Sequence, residues 1–376
     1  MTRRCRAGCL AAVGLLAAAL AGRPSYGAPG PSEPSLSEAV PSKAAPSGAA
    51  PSDPAASGPA PPGPATPAPA GAQDGVYAEL LTRRAEEALE ARLRFLQKTQ
   101  NADGTWGGDG SYKIASTAFA LIAFMAKGYF PDEGPYGEVL TKGVDALLRE
   151  GRPSDGYMGR VMYEHGLATL ALSELWGHTG RDEQVRSALK LAVKVIIGSQ
   201  GEVGAWRYQP TPRGGGDVSV TAMMTVALAS AREAGILVPD KVIDRAIQYV
   251  EMCSNEVDGG FSYTGVGPSA PERSAAAVVS LMMCGRHDTE IVQRGLRYVL
   301  SRPFRLGGRH GHYGCYYGAI ASYKSSPEDF ARWYVPVRNL IGTSPITDSG
   351  GQRTWEVAVE AIVLAMPCGF VPAYQR

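Results

Sequence analysis

The chain alternates between two kinds of apolar segment. Amphipathic segments carry apolar residues on one helical face only, as in PDKVIDRAIQYVEMC (239–253), HDTEIVQRGLRYVL (287–300) and SPEDFARWYVPVRNL (326–340). The other segments are apolar nearly all round and rich in Ala and Ser: IASTAFALIAFMA (114–126), HGLATLALSELW (165–176), VSVTAMMTVALASA (218–231), RSAAAVVSLMMC (273–284) and WEVAVEAIVLAM (355–366). Amphipathic helices cover the outside of a domain, whereas helices that are apolar on every side are buried. The alternation therefore predicts an outer ring of helices around an inner ring, and no strand-like alternation competes with it.

A loop motif recurs between these segments. LRFLQKTQNADGTW (93–106) and VIIGSQGEVGAW (195–206) share a large apolar residue four positions before a Gln, and a Gly-x-Trp that begins four positions after it. YVEMCSNEVDGGF (249–261) repeats the motif with Ser254 for Gln and Phe261 for Trp, and weaker copies occur at 154–159, 311–318 and 348–355. The copies lie roughly fifty residues apart, a spacing typical of repeat arrays. The chain is thus predicted to be all-α, an α/α toroid (α6/α6 barrel) of about six helical hairpins in which Trp106 and Trp206 are structural.

The first 73 residues predict export and a linker. Residues 1–27 combine three early arginines, a short apolar run and small residues, which is typical of a secretory signal peptide. Residues 28–73 are Pro/Ala/Ser-rich, so they cannot bury enough apolar surface to fold. We expect a domain over 74–376 that is exported to the periplasm, cell envelope or extracellular space. It would have no transmembrane segment after signal cleavage.

Charge and cysteine content narrow the function classes. The formal net charge is +1, which gives no support to nucleic-acid binding. Two of the six cysteines lie in the predicted signal, and the four that remain do not form a disulfide framework for a domain of this size.

The Gln-x-x-x-Gly-x-Trp units resemble the repeats of squalene/terpene cyclases and of protein prenyltransferase β subunits. The likeness covers essentially all of 78–376 and is greatest to secreted bacterial prenyltransferase/squalene oxidase repeat proteins, around 205–239, 312–317 and 368–376. This resemblance implies the toroid fold, but it implies no particular reaction, because function belongs to sites and not to folds. It also implies that the N-termini of the inner helices surround one mouth of a cavity.

Asp217 stands where the resemblance would place an acid. Squalene-type cyclases carry an Asp-x-Asp-Asp-Thr run after such a Trp loop, and its middle Asp protonates an alkene or epoxide. The matching run here is Asp217-Val218-Ser219-Val220-Thr221, so a serine replaces the middle acid. This departure argues against cyclisation by the established route. Asp217 is interpreted first as a helix N-cap, with ligand contact and catalysis as the alternatives.

The zinc set of protein prenyltransferases is also incomplete. That family binds Zn²⁺ through an Asp and a Cys two residues apart and a distant His. Cys315 matches the Cys, but Tyr313 stands in place of the Asp, and 339–366 contains no His. We therefore expect no metal and no cofactor, although His310, His312 and Cys315 leave a different site open. Tyr313, Tyr316 and Tyr317 are expected to be core residues or the wall of a pocket.

Other polar residues near predicted helix starts have both a structural and a functional interpretation. Glu164 and His165 are adjacent and form an acid/base pair only if they face the same way, but neighbouring helical positions point about 100° apart. Taken together, the predicted ligand-binding residues around the mouth are Glu164, His165, Asp217, Ser219, Glu272, Arg273, His312, Tyr313, Tyr316, Tyr317, Arg353, Trp355 and Glu356.

Three functions remain open from the sequence. The first is a toroid that binds an isoprenoid, a glycan or a peptide in its central cavity without turnover. The second is an enzyme with unusual residues, either a divergent relative of terpene cyclases or a glycan hydrolase or lyase that uses mouth carboxylates. A hydrolase would need two carboxyl groups about 5–10 Å apart. The third is a scaffold for protein partners at the envelope.

Overall fold

The computed structural model describes residues 77–108, 112–151, 155–302, 306, 310–346, 354–371 and 373. The predicted signal peptide, the linker and the proposed domain start at residue 74 lie outside these residues.

The described residues form twelve α-helices in six consecutive hairpins. The first helix of each hairpin is amphipathic: α1 (Arg83–Lys98), α3 (Gly137–Glu150), α5 (Asp182–Gly198), α7 (Asp240–Met252), α9 (Glu290–Leu300) and α11 (Pro327–Thr343). The second is apolar on nearly every side: α2 (Lys113–Ala126), α4 (Met162–Leu175), α6 (Val218–Glu233), α8 (Pro271–Met283), α10 (Gly311–Ser325) and α12 (Thr354–Ala365). Short 3₁₀ turns at Ala78–Leu80 and Met366–Cys368 complete the regular structure.

The apolar helices form a closed inner ring. Each packs against two others in the order α2, α4, α6, α8, α10, α12, and α12 returns to α2. Every residue of α2 from Ile114 to Ala126 is buried, whereas α1 buries only one face. The amphipathic helices surround this ring, so the α/α toroid predicted from the alternation is confirmed. No described helix has the length and apolar character needed to cross a membrane.

The repeated Gln and Trp residues make the same contacts in both strong copies of the motif. Gln100 Nε2 donates to the carbonyls of Gly104 and Val139, and Gln200 Nε2 donates to those of Gly204 and Val242. The Trp106 and Trp206 indoles each donate to a carbonyl of the preceding outer helix at 2.7 Å. These bonds attach each joining loop to its own outer helix and to the next one. The structural role expected for the two tryptophans is confirmed.

The glycine of the motif is required by a close approach of backbone. Gly104 and Gly204 have φ of +83° and +86°. A Cβ at Gly104 would lie 2.3 Å from the Lys142 carbonyl oxygen, and one at Gly204 would lie 2.4 Å from that of Arg245. Any side chain here would push the next outer helix away from the loop.

The structure confirms one of the weaker copies of the motif and contradicts another. The copy at 154–159 is confirmed where it is described, because Gly156 has φ of +100° and lies against Leu191 of α5. The assignment of 311–318 as a joining loop is wrong, since these residues form the first half of inner helix α10. Tyrosines pack there because the helix faces the centre of the ring. Residues 348–353 of the last copy lie outside the described residues.

Candidate functional site

The inner helices begin at one mouth of the toroid. Contacts between their first turns and the adjoining loops follow the ring. Glu164 of α4 accepts from the Ile114 N–H of α2, and the Met162 N–H at the start of α4 donates to the Tyr208 carbonyl. The Val218 N–H at the start of α6 donates to the Tyr263 carbonyl. These contacts place the starts of α2, α4 and α6, with the loop before α8, beside one another at the same end of the ring.

Aromatic side chains bridge the ring just inside this mouth. Tyr163 of α4 and Tyr317 of α10 belong to opposite members of the six-helix ring, yet their hydroxyl oxygens are 3.3 Å apart. The Tyr317 hydroxyl also donates to Met223 Sδ of α6 at 3.4 Å, and Tyr316 packs edge-on against Phe119 of α2. We call these five residues the tyrosine plug. A contact between opposite helices leaves no space for a ligand between them at this depth.

The plug residues are inaccessible and uncharged. Tyr163, Tyr316 and Tyr317 are buried, and burial raises the pKa of Tyr163 and Tyr317 well above the ordinary value. Tyr316 and Tyr317 therefore belong to the core and not to an open pocket wall. Tyr313, one turn nearer the mouth, is only half-buried and packs on Tyr317 at a ring-centroid distance of 4.9 Å.

Asp217 caps helix α6. Its backbone has extended dihedrals, and its Oδ1 accepts from the Val220 N–H at 3.0 Å. The residue is fully buried, and Oδ2 has no partner at full hydrogen-bond geometry within the described residues. Burial raises the pKa of Asp217 to about 6, although the Val220 bond and the Arg207 charge oppose the rise. The N-cap interpretation is confirmed, and the cap is a carboxyl group that retains its proton more readily than an exposed Asp.

Two tyrosines missed in the sequence lie beside Asp217. The hydroxyls of Tyr208 and Tyr263 are 3.0 Å apart, and both rings are half-buried. Burial and then the Asp217 charge raise the pKa of each. Tyr208 follows the repeated Trp206 by two residues, and Tyr263 follows the matching Phe261 by two. Comparison of the repeat copies would have identified them.

Glu164 and His165 do not form an acid/base pair. Glu164 is buried and accepts from the Ile114 and Arg160 N–H groups, so it caps the neighbouring inner helix. His165 points the other way, with Nδ1 accepting from the Met158 N–H and Nε2 facing the Ala192 carbonyl of α5. Burial lowers the pKa of His165 to about 4, so the ring is neutral. These backbone groups hold both side chains in the core, so neither side chain is exposed at the mouth.

Glu272 and Arg273 stand at the start of α8 and are both half-buried. Arg273 donates to the carbonyls of Phe261 and Pro268 in the preceding loop, so its guanidinium fixes that loop. Ser219, in the first turn of α6, is almost fully buried beside the Tyr313 hydroxyl.

A buried charge network joins the first and last hairpins. His312 Nε2 lies 3.0 Å from Glu360 Oε1, and Glu360 Oε2 accepts from Arg92 Nε at 2.8 Å. On its mouth side, His312 Nδ1 lies 3.9 Å from Glu356 Oε1, and the Trp355 ring packs edge-on against the imidazole. We call these five residues the seam cluster.

Two members of the seam cluster were missed in the sequence. Arg92 and Glu360 are 268 positions apart, and each lies within a helix that otherwise looks structural. Although burial acts to raise it, the His312 hydrogen bond and the Arg92 charge hold the pKa of Glu360 below its ordinary value. Arg353, predicted to belong to the same region, lies outside the described residues.

Within the part of the chain that the structure describes, no group of three or more His, Cys, Asp or Glu side chains is arranged so that it could hold a metal ion. Cys315 is fully buried, and burial raises its pKa to about 12, so it does not supply a thiolate. Cys253, Cys284 and Cys368 are also free thiols.

The mouth thus combines half-buried aromatic rings with hydrogen-bonding groups. Tyr112, Tyr208, Tyr263, Tyr313 and Trp355 come from five different loops or first turns and are all half-buried. Glu356 and Glu272 are the half-buried carboxylates among the predicted residues. Such a surface is chemically suited to a flat ligand that has an apolar face and hydroxyl groups at its edge.

Comparisons with known proteins agree on the fold. No protein-family model matches the chain, and no curated protein matches it. The type II terpene cyclase MstE from Scytonema superposes with a TM-score of 0.51 and 14% identity over 76% of this chain and 98% of the cyclase. A GH76 α-mannanase from Bacteroides thetaiotaomicron gives 0.56 and 12% over 76% and 96%.

A third similar structure is an inactive variant of a GH76 α-1,6-mannanase from Salegentibacter, in complex with α-1,6-mannotetrose. It superposes with a TM-score of 0.57 and 9% identity over 77% of this chain and the whole of the mannanase. Identities this low establish the α/α toroid alone, which terpene cyclases and glycan hydrolases share.

Proposed function

We propose that the protein binds a glycan across the mouth of the toroid, above the tyrosine plug, without squalene-cyclase or zinc-prenyltransferase chemistry. The observation that carries this proposal is the 3.3 Å approach of the Tyr163 and Tyr317 hydroxyls across the ring. An isoprenoid chain needs a deep apolar cavity, and these side chains occupy the position where such a cavity would begin. A ligand is left with the shallow mouth.

The aromatic residues of the mouth support a glycan over an apolar chain. A sugar ring stacks its C–H face on an aromatic ring and places its hydroxyls against neighbouring polar groups. Tyr313 and Trp355 supply half-buried rings on α10 and α12. The mannanase bound to α-1,6-mannotetrose is a toroid with a glycan ligand, which makes that oligosaccharide a reasonable first compound to test.

Three of the acids near the mouth support binding without turnover. Glu164 and Asp217 both use carboxylate oxygens to cap inner helices, and Glu360 is held by Arg92 and His312. The residue at the position of the cyclase acid is Ser219, which cannot protonate an alkene. A hydrolase needs one carboxyl group to deliver a proton and another to act as base or nucleophile, and these three carboxyl groups already have structural partners.

The test is a binding titration of the full-length protein against a panel of soluble oligosaccharides that includes α-1,6-mannotetrose. We expect saturable binding that Trp355→Ala weakens about tenfold, because a stacked aromatic ring contributes about 1 kcal/mol or more. Trp176→Phe is the matched control, since Trp176 lies at the far end of α4 beneath Arg186. A geranylgeranyl ligand that co-purifies with the protein would refute the proposal, as would binding that both variants leave unchanged.

A further inference from the structure

A buried acid lies next to a pair of tyrosine hydroxyls at the mouth. Asp217 is fully buried, and its Oδ1 accepts from the Val220 N–H at 3.0 Å. Its Oδ2 has no partner at full hydrogen-bond geometry within the described residues. The hydroxyls of Tyr208 and Tyr263 are 3.0 Å apart, and both rings are half-buried. One side of the carboxyl group therefore belongs to the helix cap, and the other side is left to the tyrosine pair.

Backbone hydrogen bonds fix both tyrosines at this place. The Tyr208 carbonyl accepts from the Met162 N–H at the start of α4. The Tyr263 carbonyl accepts from the Val218 N–H at the start of α6, directly after Asp217. The two rings are thus attached to the starts of two adjacent inner helices. A change in the charge of the carboxyl group can be answered by rotation of the phenol O–H groups alone, without movement of the chain.

A chain of hydrogen bonds leads from the buried carboxyl group to the mouth. Burial raises the pKa of Asp217, and a hydrogen bond from Tyr263 is among the effects that oppose the rise. Each phenol has one proton to donate. With Asp217 ionised, Tyr263 donates to the carboxylate and Tyr208 donates to Tyr263, so Tyr208 offers only lone pairs to a ligand. With Asp217 protonated, both donations reverse, and the Tyr208 proton points into the mouth.

The charge of Arg207 depends on the same proton for its partner. Arg207 is exposed and precedes Tyr208 in the joining loop. Burial raises the pKa of Asp217 and of both tyrosines, and the Arg207 charge opposes the rise in each, so the guanidinium lies near all three. An ionised Asp217 attracts this guanidinium and repels an anionic ligand. A protonated Asp217 leaves the guanidinium to an anion, and carboxylates bind guanidinium groups through two parallel hydrogen bonds.

Other titratable groups around Asp217 keep their charge between pH 5.0 and 7.5. Three further side chains sense the Asp217 charge, from the end of α7 and from α10: Tyr249, Cys253 and Tyr313. Burial raises the pKa of each, so all three are neutral in this range. The acids in the first turns of the adjoining inner helices are Glu164 of α4, which caps α2, and Glu272 of α8. Neither is among the main influences on the pKa of Asp217.

We infer that Arg207 and Tyr208 bind the carboxylate of an acidic sugar, a uronate, at the mouth. The form of the protein that binds is the one with Asp217 protonated, because its Tyr208 hydroxyl points outward and its Arg207 charge is available. A uronate-containing glycan therefore binds more tightly at lower pH, whereas a neutral glycan does not. This assignment rests on the proposed function, since it specifies the kind of glycan that the mouth takes.

A titration of the full-length protein by calorimetry tests this subsite. The ligands are tetragalacturonate and a neutral galacto-oligosaccharide of the same length, each at pH 5.0 and 7.5 and at one ionic strength. The uronate carboxyl groups are ionised at both pH values. With a pKa of about 6, Asp217 is protonated in roughly nine-tenths of the molecules at pH 5.0 and in roughly 3% at pH 7.5. We expect the affinity for tetragalacturonate to fall on the order of tenfold at the higher pH.

Two variants identify the groups responsible. Asp217→Asn keeps the cap and cannot ionise, so it should bind tetragalacturonate equally well at both pH values. Tyr208→Phe removes the outward hydroxyl and should weaken this binding about tenfold at pH 5.0, as the loss of a hydrogen bond to a charged group does. The matched controls are Asp240→Asn, at an exposed acid, and Tyr323→Phe, in the last turn of α10 against Tyr77. Both should behave like the natural chain.

The outcomes separate this subsite from glycan binding in general. A natural chain that binds the neutral oligosaccharide but binds tetragalacturonate no more tightly at pH 5.0 than at 7.5 would overturn the uronate subsite and leave the proposed function standing. A pH dependence that persists in Asp217→Asn would overturn it as well. A protein that binds no oligosaccharide at either pH would overturn the proposed function and the subsite together.

Discussion

The buried carboxyl of Asp217 gives the sharpest quantitative prediction. The substitution Asp217→Asn keeps an oxygen that can accept from the Val220 N–H, and Asn is as good an N-cap as Asp. It removes the ability to ionise, and the other effect of the substitution, the exchange of an oxygen for an amide NH₂, does not depend on pH. Any change in stability that depends on pH therefore reports the proton on this carboxyl group.

The magnitude follows from the raised pKa, from 3.8 to about 6. A tenfold change in proton affinity is worth about 1.4 kcal/mol, so the full effect is about 3 kcal/mol. A carboxyl whose pKa is raised by folding stabilises the protein below its unfolded pKa, and this stabilisation is lost as pH rises through the folded pKa. About 2 kcal/mol of the loss falls between pH 4.5 and 7.5.

The assay is urea unfolding of the natural chain and the variant at these two pH values. We expect the stability of Asp217→Asn relative to the natural chain to be about 2 kcal/mol more favourable at pH 7.5 than at pH 4.5. Asp240→Asn is the control, because Asp240 begins α7 with a side chain that is 87% exposed. A difference that does not vary with pH would refute the reasoning, since it would mean that the carboxyl ionises in the fold as easily as in water.

Three further substitutions test the fold. Gly204→Ala should lower the free energy of unfolding by about 1–3 kcal/mol, measured by urea titration, because its Cβ would lie 2.4 Å from the Arg245 carbonyl oxygen at a positive φ. Arg92→Met should cost about 3–5 kcal/mol by the same method, because Glu360 would keep a buried charge without its partner. The double variant with Glu360→Leu should recover part of that loss. Tyr317→Ala should cost about 3–5 kcal/mol and create a cavity in the plug, so that indole raises the melting temperature of the variant but not of the natural chain.

Matched control variants distinguish these specific effects from a general loss of stability on substitution. Gly198→Ala has open space around its Cβ and should be neutral or stabilising. Arg83→Met breaks an exposed pair with Glu87 and should change stability by less than about 1 kcal/mol. A Tyr317→Ala variant that takes up no indole would show that the ring collapses into the space, and would contradict the rigid plug.

The fold was predictable because its signals are local and repeated. The two helix types differ in whether one or every face is apolar, and this is visible in any single segment. Gln100 and Gln200, which are a hundred residues apart, make the same two kinds of hydrogen bond. The structural role of one copy can therefore be inferred from the other. The Asp217 cap was also predictable, because a cap needs only the three residues that follow it.

The site was harder to predict because its contacts are long-range. The bond between Arg92 and Glu360 joins the first and last hairpins, and nothing in either helix marks the partner. For Glu164 and His165 the sequence left an acid/base pair open, because the direction of each side chain depends on backbone groups of neighbouring helices. The tyrosines of α10 were predicted to be either core residues or the wall of a pocket. The choice between these roles depends on Tyr163, which contacts Tyr317 from the opposite side of the ring.

The measurement that tests the central claim most directly is an NMR titration of the indole ¹⁵N–H groups. The chain has five tryptophans, and among them Trp355 alone belongs to the predicted mouth residues, so it reports binding there. The full-length protein is titrated with the oligosaccharide panel and, separately, with geranylgeraniol, and the Trp355 signal is assigned with Trp355→Phe. The account predicts that an oligosaccharide shifts the Trp355 signal while Trp106 and Trp206 stay unchanged, and that geranylgeraniol has no effect. A spectrum that responds to geranylgeraniol and to no oligosaccharide would contradict it.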